Sequence, residues 1–181
     1  LPEPPEVRRE RLRAEWGISE FDMSSVINAG ALDLVVATIE AGADAASARK
    51  WWLGELAREA NDRGVTLEEL PVVPADVAAV DALIAVGELN DKLAREVFAG
   101  LLAGDGTPAE IIAARGLAVV SDEGVLVAAV DDVIAANPDV AAKIRAGKVA
   151  AAGALIGQVM KATRGQADAA RVRELILERL S

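Results

Sequence analysis

Helix start and stop signals recur at short intervals along this chain, and they constrain its fold more than any other feature. Proline in a first helical turn and glycine just past a last turn mark helix ends, and Pro5 and Gly17 bound the first segment in that order. Residues 107–110, Thr-Pro-Ala-Glu, combine a capping box with proline at the first helical position. Hydrophobic residues make up 52% of the chain but aromatic residues only 3%, so alanine and aliphatic side chains must form the core. This composition favours closely packed helices over strands, and the sequence therefore predicts an all-α protein.

The same signals predict where each helix begins and ends. Ser19, Asp44, Ser121 and Asp168 are the expected N-caps of four helices. The predicted helices cover about 5–16, 19–28, 31–41, 44–63, 74–86, 91–103, 108–115, 121–136, 138–146, 148–163 and 169–180. In the fourth of these, the large apolar side chains are expected in the core: Trp51, Trp52, Leu53 and Leu56.

Two domains are expected. We predict a helical domain over residues 1–117 and a smaller tail domain of three to four helices over residues 118–181. A possible sub-boundary lies near residues 65–74, because Pro71 and Pro74 are too close together for one regular helix. The chain begins Leu-Pro-Glu-Pro-Pro without an initiator methionine, which is typical of a piece that follows an extended linker in a longer protein.

Several classes of site are excluded or disfavoured by composition. Without cysteine the chain has no disulfide or thiolate metal site, and without histidine it lacks the usual general base near neutral pH. No P-loop or dinucleotide fingerprint is present, and Gly104-Asp105-Gly106 lacks the further carboxylates of a calcium loop. No apolar run is long enough to span a membrane and no signal peptide opens the chain, so we expect a cytoplasmic protein with neither membrane nor DNA as partner.

Charge is unevenly distributed along the chain, whose formal net charge is -10. Residues 66–138 contain 3 Lys/Arg and 13 Asp/Glu, whereas residues 139–181 contain 8 and 4. A basic terminal segment on an acidic protein indicates a polyanionic partner that contacts one end.

Helix 148–163 carries a glycine row next to basic residues. At about 100° per residue, a helical wheel predicts a buried stripe made of Ala152, Ile156, Val159, Met160 and Thr163. Gly153 and Gly157 fall beside this stripe, and Gln158, Lys161 and Arg164 lie on the polar side of them. The row either lets a neighbouring helix approach closely or, with Lys161 and Arg164, receives a sugar-phosphate backbone. The two roles are compatible.

The turn at residues 164–168 and the break at Gly147 add candidate contacts. The turn is an ordinary connector between helices, but the free N–H groups that follow it, together with Arg171, favour anions. Basic residues also cluster around Gly147, and although such a cluster is usually a solvated face, the combined set is a candidate phosphate-contact surface. The candidate residues are Lys143, Arg145, Lys148, Gly153, Gly157, Gln158, Lys161, Arg164, Gly165 and Arg171.

The segment GQVMKATRGQAD, followed by a last helix rich in Leu and Ile, resembles the C-terminal GatB/YqeY tail. The resemblance extends upstream through RRERLRAEWGISEFD, AGADAASARKWWLGEL, KLAREVFAGLLAGDGTPAEII, SDEGVL and VIAANPDVAAKIRAGK. It covers nearly the whole chain and favours the B subunit of tRNA-dependent amidotransferases over the small stand-alone YqeY-like proteins. The chain departs from the family where Gln166 replaces a frequent Lys and Ala169 a frequent Pro, so one positive charge is missing from the turn.

The resemblance implies a non-catalytic, tRNA-binding region. Complexes of this family convert misacylated Asp-tRNA(Asn) or Glu-tRNA(Gln) to the amidated species, using ATP and ammonia that a partner subunit derives from glutamine. The part of the B subunit that activates the acyl group with ATP and Mg²⁺ lies upstream of the residues present here, so no cofactor is expected in this chain. The part present is similar to the one that grips the outer corner of the tRNA, and the implied partners are tRNA and the A and C subunits of the amidotransferase.

Two other functions stay open. The acidic middle of the chain and the glycine row would dock helices of partner subunits if the protein were a protein–protein adaptor. A free-standing helical hydrolase would need paired acids with separated pKa values in a cleft, and no such pair is indicated.

Overall fold

The computed structural model describes residues 2–120 and 122–181, and over them the chain is all-α, as predicted. Two 3-10 turns and one π turn interrupt the α-helices, and no strand is found in the described residues. The elements are α1 (Pro5–Trp16), α2 (Glu20–Asn28), α3 (Leu32–Glu40), α4 (Ala45–Trp51), a π turn (Trp52–Leu56), α5 (Ala57–Arg63), a 3-10 turn (Leu67–Glu69), α6 (Pro74–Ala85), α7 (Asp91–Ala103), α8 (Pro108–Arg115), α9 (Glu123–Ala136), α10 (Pro138–Arg145), a 3-10 turn (Val149–Ala151), α11 (Ala152–Ala162) and α12 (Ala169–Leu180).

The predicted helix ends are largely confirmed because the residues that cap them act locally. Ser19 accepts a hydrogen bond from the backbone N–H of Asp22 at 3.1 Å, and Gly17 ends α1 in the left-handed region with φ 62°. The capping box before α8 is also present: the Thr107 backbone N–H donates to the Glu110 carboxylate at 2.8 Å. This hydrogen bond is the main reason that the pKa of Glu110 lies below its usual value.

Contacts within the chain divide it into two compact units. The first comprises Leu1–Val86 and Arg95–Ala114, and the second comprises Gly87–Ala94 and Arg115–Ser181. The sequence analysis assigned residues 87–94 to the helical domain, whereas their contacts group them with the tail.

The first unit contains the long helix that was predicted between Asp44 and Gly64. Asp44 caps it by accepting from two backbone N–H groups, and Gly64 ends it with φ 67°. The helix is continuous but includes the π turn, which the sequence did not predict. Trp51 and Trp52 are buried as expected, whereas Leu53 is only half-buried.

A buried hydrogen-bond chain joins this helix to α3 inside the first unit. The Trp52 indole N–H donates to Thr38 Oγ1 at 2.8 Å, and the Thr38 hydroxyl donates in turn to the Leu34 carbonyl at 2.7 Å. Both side chains are fully buried. The polar atoms of this core site therefore have partners, which removes the cost of burying them.

Thr38→Val is expected to lower the free energy of unfolding by about 1–3 kcal/mol, because it leaves the buried Trp52 N–H without an acceptor. Urea denaturation followed by circular dichroism measures the change. The same substitution should cost much less in a Trp52→Phe background, where the donor is absent. An equal cost in both backgrounds would show that the hydrogen bond contributes little.

The second unit has its own core, formed where α9, α10, α11 and α12 pack together. Asp122 is the N-cap of α9 and accepts from the Gly124 and Val125 backbone N–H groups. Ser121, the predicted cap, lies outside the described residues. The buried residues of this core are Leu126, Val130, Val133, Ala141, Ile144, Ala152, Leu155, Val159, Ala167, Val172, Leu175, Ile176 and Leu180.

The buried face of α11 differs from the predicted stripe. Ala152, Leu155 and Val159 are buried, whereas Ile156 and Met160, assigned to the stripe, are only partly buried against the core. At about 100° per residue, Gly153 and Gly157 lie about 130° and 170° from the mean direction of the buried residues. The glycine row is therefore opposite the core rather than beside it.

No single helix in the described part of the chain is long and apolar enough to cross a membrane. Two pairs of successive helices reach the length and apolar composition of a membrane span only when the two helices of a pair are taken together. Both pairs are sharply bent, α2 with α3 by 103° and α7 with α8 by 113°.

Candidate nucleic-acid interface

The glycine row lies open on the surface of α11. Gly153 and Gly157 are exposed, and a Cβ atom built at either position meets no atom within 4 Å. Close approach of a neighbouring helix, one of the two predicted roles, therefore has no partner among the described residues. Each glycine inside a helix costs about 0.5–1 kcal/mol relative to alanine. Packing within the described chain does not explain that cost.

Lys161 and Arg164 continue this open face at the C-terminal end of α11. Gly153, Gly157 and Lys161 are spaced four residues apart, so they follow one another along a single side of the helix. The side chains of Lys161 and Arg164 are exposed and form no ion pair with any described residue. The exposed glycines of α11 are therefore followed, on the same side of the helix, by positive charges that no carboxylate of the described residues neutralises.

A second group of cations lies at the other end of α11. Lys143, Arg145 and Lys148 are exposed and also form no ion pair among the described residues. The break at Gly147 folds back, and the Lys148 backbone N–H donates to the Lys143 carbonyl at 3.0 Å. Since α11 has 11 residues and is about 16 Å long, the two basic groups lie at opposite ends of the glycine face.

The turn after α11 has an unusual backbone. Among the described residues, Arg164 is the one non-glycine residue with a positive φ, which is 55°. Gly165 follows with φ 75°. The Gly165 N–H donates to the Met160 carbonyl at 2.7 Å, which closes the last turn of α11. Gly165 itself is buried, so the exposed contact at this turn is the Arg164 side chain.

Gln158 is a poorer candidate than the sequence indicated. Its side-chain amide forms two reciprocal hydrogen bonds with the Asn137 amide, at 2.8 and 3.1 Å. The Oε1 and Nε2 atoms of Gln158 thereby link α11 to Asn137, the residue between α9 and α10. Contact with a nucleic acid through this amide would have to break the pair, and the assignment of Gln158 stays a prediction.

Arg171 differs from the other basic candidates, because three carboxylates surround its guanidinium. It forms an ion pair with Glu123, donates to Glu174 at 2.8 Å, and lies 3.9 Å from Glu178. The hydrogen bond from Arg171 lowers the pKa of Glu123, and the same carboxylates raise the pKa of Arg171. Its positive charge is already matched, so it adds little attraction for phosphate.

The predicted anion site at the start of α12 is filled by the protein itself. The Asp168 carboxylate accepts from the backbone N–H groups of Ala170 and Arg171, at 2.8 and 3.3 Å. Asp168 is thus the N-cap that the sequence predicted, and it occupies the groups that an anion would use.

Comparison with known proteins identifies the family. The family model described as the GatB domain matches residues 33–180, which is most of the chain. The chain belongs to the GatB/YqeY family. The all-α fold is therefore the fold of a GatB/YqeY chain, as the sequence resemblance implied.

Relatives of this GatB/YqeY chain share one name, that of the B subunit of aspartyl/glutamyl-tRNA(Asn/Gln) amidotransferase. The proteins from Streptomyces avermitilis and Nocardioides sp. are 70% and 67% identical to it, over 99% and 100% of its length. The protein from Cutibacterium acnes is 59% identical over the whole chain. The chain spans 36% of the length of each of these relatives.

Two residues at this site were missed by the sequence analysis. Asn90 donates through Nδ2 to the Gly165 carbonyl at 2.9 Å, and the Lys92 side chain lies against Gly165. Asn90 precedes α7 and is a recognisable N-cap, so its capping role had a sequence signal. Its contact with residue 165, which is 75 positions away, had none.

No group of three or more His, Cys, Asp or Glu side chains suited to a metal ion occurs in the part of the chain that the structure describes. The candidate interface thus consists of an exposed glycine face with basic groups at both ends.

Proposed function

We propose that this chain is the tRNA-binding C-terminal region of an aminoacyl-tRNA amidotransferase B subunit. In this role it helps to position misacylated Asp-tRNA(Asn) or Glu-tRNA(Gln) for ATP-dependent transamidation and supplies no catalytic group itself. ATP and Mg²⁺ would act in the remainder of the B subunit, and the A and C subunits would be its protein partners. The observation that carries the proposal is the open glycine face of α11 between two groups of unpaired cations.

A sugar-phosphate backbone suits this surface for two physical reasons. Gly153 and Gly157 have no side chains, so a bulky ribose-phosphate chain can approach the helix backbone closely. Basic side chains at each end can neutralise phosphates and release counterions, which is the main source of sequence-independent nucleic-acid affinity. The cations of the proposed surface are Lys143, Arg145, Lys148, Lys161 and Arg164.

Lys161→Ala and Arg164→Ala are each expected to weaken tRNA binding. Each lost phosphate contact should lower the slope of log K against log salt concentration by about 0.7–0.9. Fluorescence anisotropy with labelled tRNA over a salt series measures both quantities. Because backbone contacts carry no sequence information, the loss should be similar for different tRNAs.

Arg179→Ala is the matched control for these variants. It removes one positive charge from the same unit, but Arg179 is paired with Asp131 at 2.9 Å, so its loss should leave the salt slope unchanged. Equal slopes for wild type, Lys161→Ala and Arg164→Ala would remove both residues from the interface. Failure of the wild-type chain to bind tRNA at low salt would reject the proposal for this chain.

The alternative function, a protein–protein adaptor, is favoured by the same open face. A helix of a partner subunit could pack on Gly153 and Gly157, since no helix of the described chain does so. Binding of that kind depends on apolar contact and changes little with salt. Salt-insensitive binding to the other subunits, together with no binding to tRNA, would select the adaptor.

A further inference from the structure

We infer that the start of α7 is part of the same tRNA-binding site. Lys92 adds a phosphate contact beside Arg164, and Asn90 holds the α11–α12 turn in its binding geometry. This inference rests on the proposed function and extends the site to residues that the family resemblance did not bring to it.

The turn needs an external support. Arg164 has φ 55°, a conformation that non-glycine residues adopt only where surrounding contacts hold it. Three segments provide such contacts to the two residues that follow. Met160 accepts from the Gly165 N–H, Asn90 donates to the Gly165 carbonyl, and the Gln166 side chain donates to the Gly116 carbonyl. The backbone of the turn is thus fixed directly after Arg164.

Asn90 uses both ends of its side-chain amide. Its Oδ1 accepts from the Leu93 N–H at 2.9 Å, which caps α7, and its Nδ2 donates to the Gly165 carbonyl at 2.9 Å. Asn90 is half-buried, so neither hydrogen bond is fully exposed to competition from water. One residue therefore joins the first turn of α7 to the turn after α11.

Lys92 lies directly over Gly165. A Cβ atom added to Gly165 would come within 2.6 Å of Lys92 Cδ and 2.8 Å of Cε, so a residue with a side chain there would displace the lysine. The absence of a side chain at position 165 thus leaves room for Lys92 against the residue that follows Arg164. The Lys92 side chain is exposed and forms no ion pair with a described residue.

The result is that cations from two distant parts of the sequence meet at one turn. Lys161 lies in the last turn of α11, Arg164 follows that helix, and Lys92 comes from α7 and lies against Gly165. No carboxylate among the described residues neutralises these three charges, so they attract an anion such as phosphate. A phosphate is therefore the ligand that these cations favour.

Lys92→Met tests the charge without removing the side-chain stem that covers Gly165. It should lower the salt slope of tRNA binding by about 0.7–0.9, whereas Lys92→Arg should keep the wild-type slope. An unchanged slope in Lys92→Met, in a chain where Lys161→Ala does lower it, would overturn the inference and leave the proposed function intact. Unchanged slopes in both variants would instead count against the proposed function.

Asn90→Ser tests the positioning role. Serine still caps α7 but is too short to donate to the Gly165 carbonyl. The expected result is about two- to tenfold weaker tRNA binding, the equivalent of one hydrogen bond, with an unchanged salt slope because every cation remains. Wild-type affinity in Asn90→Ser would overturn the positioning role.

Discussion

Replacing both Gly153 and Gly157 with glutamine is expected to stabilise the protein and, at the same time, to weaken tRNA binding by at least about tenfold. The gain in stability should be about 0.5–1 kcal/mol per position, because glutamine is a better helix former than glycine. The new side chains enter open space, since a Cβ at either position meets no atom within 4 Å. No packing cost offsets the gain.

The loss of binding follows from the same open space. If a sugar-phosphate backbone occupies the glycine face, two glutamine side chains hold it away from α11 and from the cations at both ends. A loss of at least tenfold corresponds to about 1.4 kcal/mol. Opposite signs for stability and binding separate this result from partial unfolding, in which both would fall together.

Gly54→Gln is the matched control for the double variant. Gly54 is another exposed glycine, in the π turn of the long helix, and a Cβ there also meets nothing within 4 Å, but it lies in the first unit. Gly54→Gln should cause no loss of tRNA affinity. If the double variant is more stable and still binds tRNA as tightly as wild type, the glycine face is not the contact surface.

The helices could be predicted from the sequence because their ends are set by neighbouring residues. Ser19 and Asp168 cap through N–H groups two or three positions away, and Gly64 ends its helix with its own backbone conformation. Because these interactions join residues at most a few positions apart, one sequence is enough to predict them. The bounds of α7, α8 and α12 match the predicted ones.

The buried face of α11 was mispredicted because the wheel centred the buried stripe about 50° away from its true direction. Leu155 faces the core, and Ile156 is left at its margin. Apolar residues on both sides of the true stripe gave the sequence no means of choosing.

The candidate site could be predicted only in part, since several of its determinants are contacts between distant residues. Gln158 pairs with a residue 21 positions away, Arg171 with one 48 positions away, and Gly165 with one 75 positions away. Composition identified all the basic residues of the segment but not which of them are already neutralised. Only the packed chain separates Lys161 and Arg164, which have no carboxylate partner among the described residues, from Arg171, which has three.

Leu155→Ala is expected to lower the free energy of unfolding of the second unit by about 2–5 kcal/mol. Leu155 is 0% exposed in the core between α9, α11 and α12, so truncation removes buried apolar surface and leaves a cavity. Leu177→Ala is the matched control. That side chain is only partly buried against the same core, so the same truncation should cost clearly less.

The two units allow the effect of Leu155→Ala to be localised. All three tryptophans, Trp16, Trp51 and Trp52, lie in the first unit, so their fluorescence reports on that unit, whereas circular dichroism reports helix content in both. Leu155→Ala should shift the denaturation midpoint seen by circular dichroism more than the one seen by fluorescence. Equal shifts would mean that the units unfold as one cooperative block.

Binding by Leu155→Ala then tests the division of α11 into two faces. Leu155 lies on the core side, and Gly153, Gly157 and Lys161 lie on the exposed side. Below its denaturation midpoint, the variant should therefore bind tRNA with the wild-type salt slope, because no phosphate contact has been removed. A lowered slope in a folded Leu155→Ala protein would mean that core packing itself sets the positions of the cations, and the glycine face could then no longer be treated as an independent binding surface.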